Sequence, residues 1–267
     1  MNGTNKETKQ GLIFYPLQMM KQKSFIGIIE VVKKDSLVQY NNIALKEVEL
    51  SRHFTKSPKE ARQALLALSE KALHEVEDEI IEKHKNAQKS GMSMVPFFEA
   101  AFNRYVLKQL EQTRPFLSLF KWYHQIRNPK TGNLMIAPCS FSNYKTTLHF
   151  EVTKTNGALL LVTHVLINNE QYTIDNFNRY AFLLESRNEY FFLSNQDYQT
   201  LEWIAKNNPE QYAFDAEAFV INILSKLEET YAVNRNNHFA TTTIEVLPIN
   251  RIMLSEISNS FLVLTPQ

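Results

Sequence analysis

The chain has 267 residues, 44% of them hydrophobic, enough to bury a core in one large domain or two small ones. Its formal charge of +1 gives no global case for polyanion binding. One cysteine, Cys139, excludes an internal disulfide and fits a reducing compartment, and no apolar run approaches the roughly 18–20 residues of a membrane span, so a soluble cytoplasmic protein is expected.

Residues 1–10 are polar, lack a signal-peptide apolar region and read as a frayed tail. "GLIFYPL" and "FIGIIEVV" are β-branched and aromatic and read as strands, and Asn41–Asn42 reads as a turn. "SPKE" then signals a helix start: Ser57 as N-cap, Pro58 at the first helical position, Glu60 closing a capping box. Ala61, Leu65, Leu68, Ala72, Val76 and Ile80 recur at helical spacing, which predicts one helix to Lys89 with Gly91 as its stop. A second helix is expected over 95–113, antiparallel to the first, and a third, shorter one over 116–127, ending at the "NPKTGN" turn.

Beyond about residue 138 the pattern changes to strands. Asn156–Gly157 suits a type I′ turn between two strands, and the register of a two-residue loop puts Leu148, Phe150 and Val152 on one core face with Leu159, Leu161 and Val165. "RYAFLLE" and "EYFFLS" read as strands joined around Arg187–Asn188. "DYQTLEWIAKN" and "AEAFVINILSKLEETY" read as amphipathic helices, and "TTIEVLPIN" and "SFLVLTPQ" as closing strands. The expected class is α+β: a helical hairpin region with short N-terminal strands over 1–135, then a mainly antiparallel sheet with flanking helices over 136–267. The chain stops right after an apolar strand without a polar tail, as expected if a longer parent chain continues.

Several chemistries find no support. None of the six glycines opens a phosphate-binding loop, and Asp78–Glu79, which superficially resembles a magnesium-holding acidic pair, falls inside a helix. There is no G-x-S-x-G, and Cys139 in apolar "IAPCSF" reads as a buried thiol, not a nucleophile. The hairpin register puts His149 opposite His164 with Glu151 on the same face, a set that can bind zinc or iron. The commoner explanation is a cross-strand histidine pair beside a surface acid.

Local charge offers more. Arg114–Lys154 holds six Lys/Arg against one acid, a net of +5, while Thr155–Ala232 holds four against eleven, a net of −7. The basic stretch interleaves Phe120, Trp122, Tyr123 and Tyr144 with its cations, which suits phosphate neutralisation and stacking on unpaired bases. Phe116, Phe120 and Tyr123 share a helical stripe and read as core. Trp122, off that stripe, is expected to be exposed. Lys121, Trp122, Arg127, Lys130 and Lys145 are the candidate nucleic-acid contacts.

"FKWYHQIRNPKTGNLMIAPCSFS", "HFEV", "FLLESRNEYFFLSNQDYQTLEWI" and "SFLVLTPQ" resemble the N-terminal, non-motor region of bacterial Swi/Snf-type DNA-dependent ATPases of helicase superfamily two. The resemblance spans roughly residues 116–267. It implies a non-catalytic accessory region whose partner is DNA or a helicase motor domain in the same polypeptide. It confers no ATPase activity, since the family's phosphate loop and acidic magnesium motif have no match here. No cofactor, membrane or small-molecule substrate is implied. The rival expectations are a protein-interaction module unrelated to DNA, or a metal-dependent hydrolase or nuclease at His149, Glu151 and His164.

Overall fold

The computed structural model describes residues 6–21, 23–34, 37–85, 89, 93, 95–235, 252–258 and 261–266. The fold is α+β. Two compact units divide the chain: 1–147 with 165–202, and 148–164 with 203–267. The boundary expected near 135 falls inside the first unit.

An eight-stranded sheet lies in the first unit. β1 (Lys6–Phe14) pairs antiparallel with β2 (Ile26–Lys34) and parallel with β4 (Trp122–Arg127); β3 (Leu37–Ile43) extends β2. On the other side β4 pairs with β5 (Leu134–Phe141), then β11 (Glu189–Phe192), β10 (Leu183–Ser186) and β9 (Asn178–Tyr180). Leu12, Ile13 and Phe14 are fully buried because β1 is central and covered on both faces. Two expectations fail here. The supposed frayed tail supplies the start of β1, and Asn41–Asn42 continue β3 instead of turning.

One face of the sheet is packed with rings. Phe14 meets Tyr190 at 5.0 Å, Phe141 at 5.6 Å and Phe25 at 6.0 Å, edge-to-face. Trp122 meets Phe141 at 4.9 Å. Each buried ring contributes about 1.5–3 kcal/mol by leaving water, and its ring contacts add to that.

The helices α1 (Pro16–Met20), α2 (Glu47–His53), α3 (Lys59–Leu66), α4 (Glu70–Lys83) and α5 (Val95–Thr113) belong to the same unit. The single helix expected from Ser57 is two. Ser69, in extended conformation, accepts the Ala72 N–H at 3.4 Å and starts α4. Ser57 does not cap: its hydroxyl donates to the Phe54 carbonyl at 2.6 Å, and Pro58 takes the cap position. The expected stop at Gly91 lies outside the described residues. α5 has the expected bounds, and its Tyr105 hydroxyl donates to the Ala67 carbonyl at 2.8 Å.

The third helix expected over 116–127 is not formed. A 3₁₀ segment, Arg114–Leu119, leads into strand β4. Burial alternates along β4, Trp122 and His124 inward, so the helical spacing of Phe116, Phe120 and Tyr123 is overridden by pairing with β1 and β5. Phe120 is buried as expected, but Tyr123 is only half-buried.

The hairpin of β6 (Thr146–Thr155) and β7 (Ala158–Ile167) turns at Asn156 (φ 52°) and Gly157 (φ 84°), the left-handed pair a type I′ turn requires. Leu148, Phe150, Val152, Leu159 and Val165 are buried as expected, while Leu161 is only half-buried. β8 (Glu170–Thr173) follows β7 through Asn168–Asn169. "RYAFLLE" is not one strand: Ala181, at φ 49°, separates β9 from β10. α6 (Asn195–Asn207) has its expected place.

In the second unit, the expected helix over 216–231 is α7 (Ala216–Phe219), a π-helical Val220–Leu224 and α8 (Ser225–Glu228), started by Asp215 capping Ala218 N–H at 2.9 Å. β12 (Val233–Arg235) pairs parallel with β6, and Tyr231 packs edge-on against Phe150 at 5.0 Å. β13 (Ile252–Ser258) and β14 (Phe261–Pro266) form a hairpin, so "SFLVLTPQ" is a strand. "TTIEVLPIN" lies outside the described residues. Among the described residues no helix is long and apolar enough to cross a membrane.

Candidate nucleic-acid interface

The register of β1, β2 and β4 gathers cations on the face opposite the ring cluster. Glu7 pairs with Lys33, Lys9 with Val31, and Ile13 with Tyr123, so these side chains share one face. Lys9 makes an exposed ion pair with Glu7 at 2.9 Å. That contact holds the Glu7 carboxyl below its usual range, with Lys33 and Lys121 adding attraction from β2 and from the entry to β4. Three lysines from three segments therefore surround one acid, and the local charge is positive.

Tyr123 crosses this surface over Gly11. A Cβ at Gly11 would lie 2.6 Å from the Lys121 carbonyl oxygen and 2.8 Å from Tyr123 Cε2. Glycine thus lets β4 approach, with Leu12 N–H donating to the Lys121 carbonyl at 2.8 Å, and seats the Tyr123 ring beside Lys9.

The five candidate contacts separate. Lys121 is exposed on the lysine surface. Trp122 is not a contact: it is 4% exposed, and its Nε1–H donates to the Leu117 carbonyl at 2.8 Å. Strand alternation, absent from a helical reading, turns it inward. Arg127 is exposed at the far end of β4 and donates to the Gly132 carbonyl at 3.3 Å. Lys130 is exposed in the turn that Asn128 Oδ1 holds by accepting from Lys130 N–H at 2.9 Å. The length of β4 sets Lys121 and Lys130 roughly 20 Å apart. Lys145 is exposed beyond β5. Arg114 is structural: it donates to the Asn143 and Tyr144 carbonyls and lies over the Phe192 ring at 5.3 Å.

Glu151 and His164 come together at 3.3 Å, as the hairpin register predicts. His149 Nδ1 is buried without a hydrogen-bond partner. Among the described residues no three His, Cys, Asp or Glu side chains assemble as metal ligands, His149, Glu151 and His164 included. Burial pushes the Cys139 thiol well up, which suits an inert thiol.

A cavity of about 940 Å³ opens beside the far end of β4. Arg127, Tyr172, Phe177, Tyr180, Glu185 and Arg187 are among its walls. Glu185 is 6% exposed and accepts from Asn178 Nδ2 and Asn188 N–H, each at 2.7 Å. Behind it, fully buried His124 shares a 2.7 Å hydrogen bond with the Tyr190 hydroxyl through Nδ1, while Nε2 has no partner. Burial pushes the His124 pKa down, against the opposing pull of Glu185.

Reading the sequence along its basic stretch missed Lys9 and Lys33, which lie far upstream on β1 and β2, and missed the cavity. Glu185 carried a signal: an acid inside the apolar run "FLLES". No family model, no curated protein and no solved structure matches the chain.

Proposed function

We propose that the chain is a non-catalytic accessory region of a Swi/Snf-like DNA translocase, working in the cytoplasm, that touches the DNA backbone through the lysine face of its large sheet. What supports the reading is the convergence of Lys9, Lys33 and Lys121 around Glu7, beside the half-buried Tyr123 ring. Lysines neutralise phosphates and release counterions, and an aromatic face on a sheet gives an unpaired base a stacking partner. The segment likeness over roughly 116–267 makes DNA the favoured polyanion.

Fluorescence anisotropy with labelled duplex and single-stranded oligonucleotides tests the reading. The wild-type chain is expected to bind, and the Lys9→Ala, Lys33→Ala, Lys121→Ala triple variant to lose most of that affinity. Failure of the wild-type chain to bind either oligonucleotide contradicts direct contact. Docking on the motor domain would then be read by pull-down with a helicase core.

A further inference from the structure

The cavity at the end of β4 is lined by two acids, buried Glu185 and half-buried Glu189, and by two solvent-exposed arginines, Arg127 and Arg187. Glu185 is buried, yet it has no ion-pair partner among the described residues; only two neutral N–H groups serve it. Arg127 and Arg187, on the same walls, likewise have no acidic partner within ion-pair distance among the described residues. A buried acid costs stability unless something compensates it. Each Glu185 oxygen retains a lone pair beyond the bond it already accepts.

Backbone strain concentrates at the same place. Seven non-glycine residues among those described have positive φ, and five of them are asparagines, which tolerate it. The other two are Ala181 (φ 49°) and Arg187 (φ 53°). Arg187 lines the cavity, and Ala181 follows Tyr180, which lines it too. Asparagine or glycine would fill the Arg187–Asn188 turn with less strain, so an arginine at this position carries a conformational cost. Rings complete the walls: Tyr172 and Phe177 meet edge-to-face at 6.2 Å.

We infer that this cavity binds one nucleoside monophosphate unit, free or as an unpaired nucleotide of a strand. The base lies among Tyr172, Phe177 and Tyr180 and presents N–H donors to Glu185, and the phosphate is held by Arg127 and Arg187. A carboxylate acceptor favours bases with donor-rich edges. Guanine, with adjacent N1–H and N2–H groups, ranks first, and thymine, with one N–H, ranks last. The strand form of the ligand rests on the nucleic-acid reading above; the free form does not.

Isothermal titration of the full chain with dGMP, dTMP and inorganic phosphate, and with a short single-stranded oligonucleotide, tests the site. Saturable one-to-one binding of dGMP, weaker for dTMP and absent for phosphate alone, is expected. Arg187→Asn should weaken dGMP binding about tenfold by removing a charge-assisted contact, while its melting temperature holds or rises. Glu185→Gln should erase the preference for dGMP over dTMP. The lysine-face triple variant should bind dGMP as wild type does even where it loses the oligonucleotide, which separates this site from that surface. No saturable dGMP binding, or binding unchanged by Arg187→Asn, overturns the inference.

Discussion

Around the first half of β1 and the start of β4, the two faces of the large sheet are built from the same strands and have opposite chemistry. Along β4, Trp122 and His124 enter a ring cluster from which solvent is excluded, while Lys121 and Tyr123 join lysines of β1 and β2 on the other side. The dense aromatic and basic stretch of the sequence is therefore not one surface. Its rings divide between core and exposed face by strand parity, and its cations gain partners from the N-terminus.

Substitutions on the two faces should separate stability from binding. The largest loss is expected from Trp122→Ala, about 3–5 kcal/mol by urea denaturation, because it empties a buried ring site and removes the indole hydrogen bond to the Leu117 carbonyl, which then keeps only the Phe120 N–H. A cost within experimental error would place the ring in solvent and break the contrast. Gly11→Ala joins the two faces: the new methyl meets the Lys121 carbonyl, so about 1–3 kcal/mol should be lost and oligonucleotide binding should weaken with it.

Tyr190→Phe removes the hydroxyl bonded to His124 and should cost about 1–2 kcal/mol. His124 also gives the inner face a pH signature. Its folded pKa lies below the ordinary value of 6.5, so below that pH the unfolded chain binds the proton more readily. Its contribution should be complete above pH 6.5 and decline as the solution is acidified, a slope that His124→Gln should reduce in urea midpoints taken from pH 5 to 8. The smallest stability change belongs to the lysine triple variant, within about 0.5 kcal/mol, since its side chains are exposed.

Local signals carried much of this fold. Asn156–Gly157 fixed a hairpin and its buried face, and α5 fell where its spacing put it, because turn chemistry and periodicity act within a few residues. The errors share one physical source. At 116–127 three apolar residues happen to fit a helical stripe, and only pairing with β1 and β5, distant in sequence, makes a strand. At Ser69 a cap was hidden inside a spacing that continued through it. For the lysine face, Lys121 was legible in the basic stretch, whereas Lys9 and Lys33 become neighbours only through sheet register. The cavity depends on the same long-range assembly of β4, β9 and β10, so Arg187 read only as a turn residue.

The salt dependence of oligonucleotide binding by the full chain tests the central claim most directly. Three lysines neutralising phosphates of a single strand predict a slope of about −2 in a plot of log affinity against log salt concentration, and a much flatter one for the triple variant. Absence of binding, or a slope that the three substitutions leave unchanged, would contradict the account.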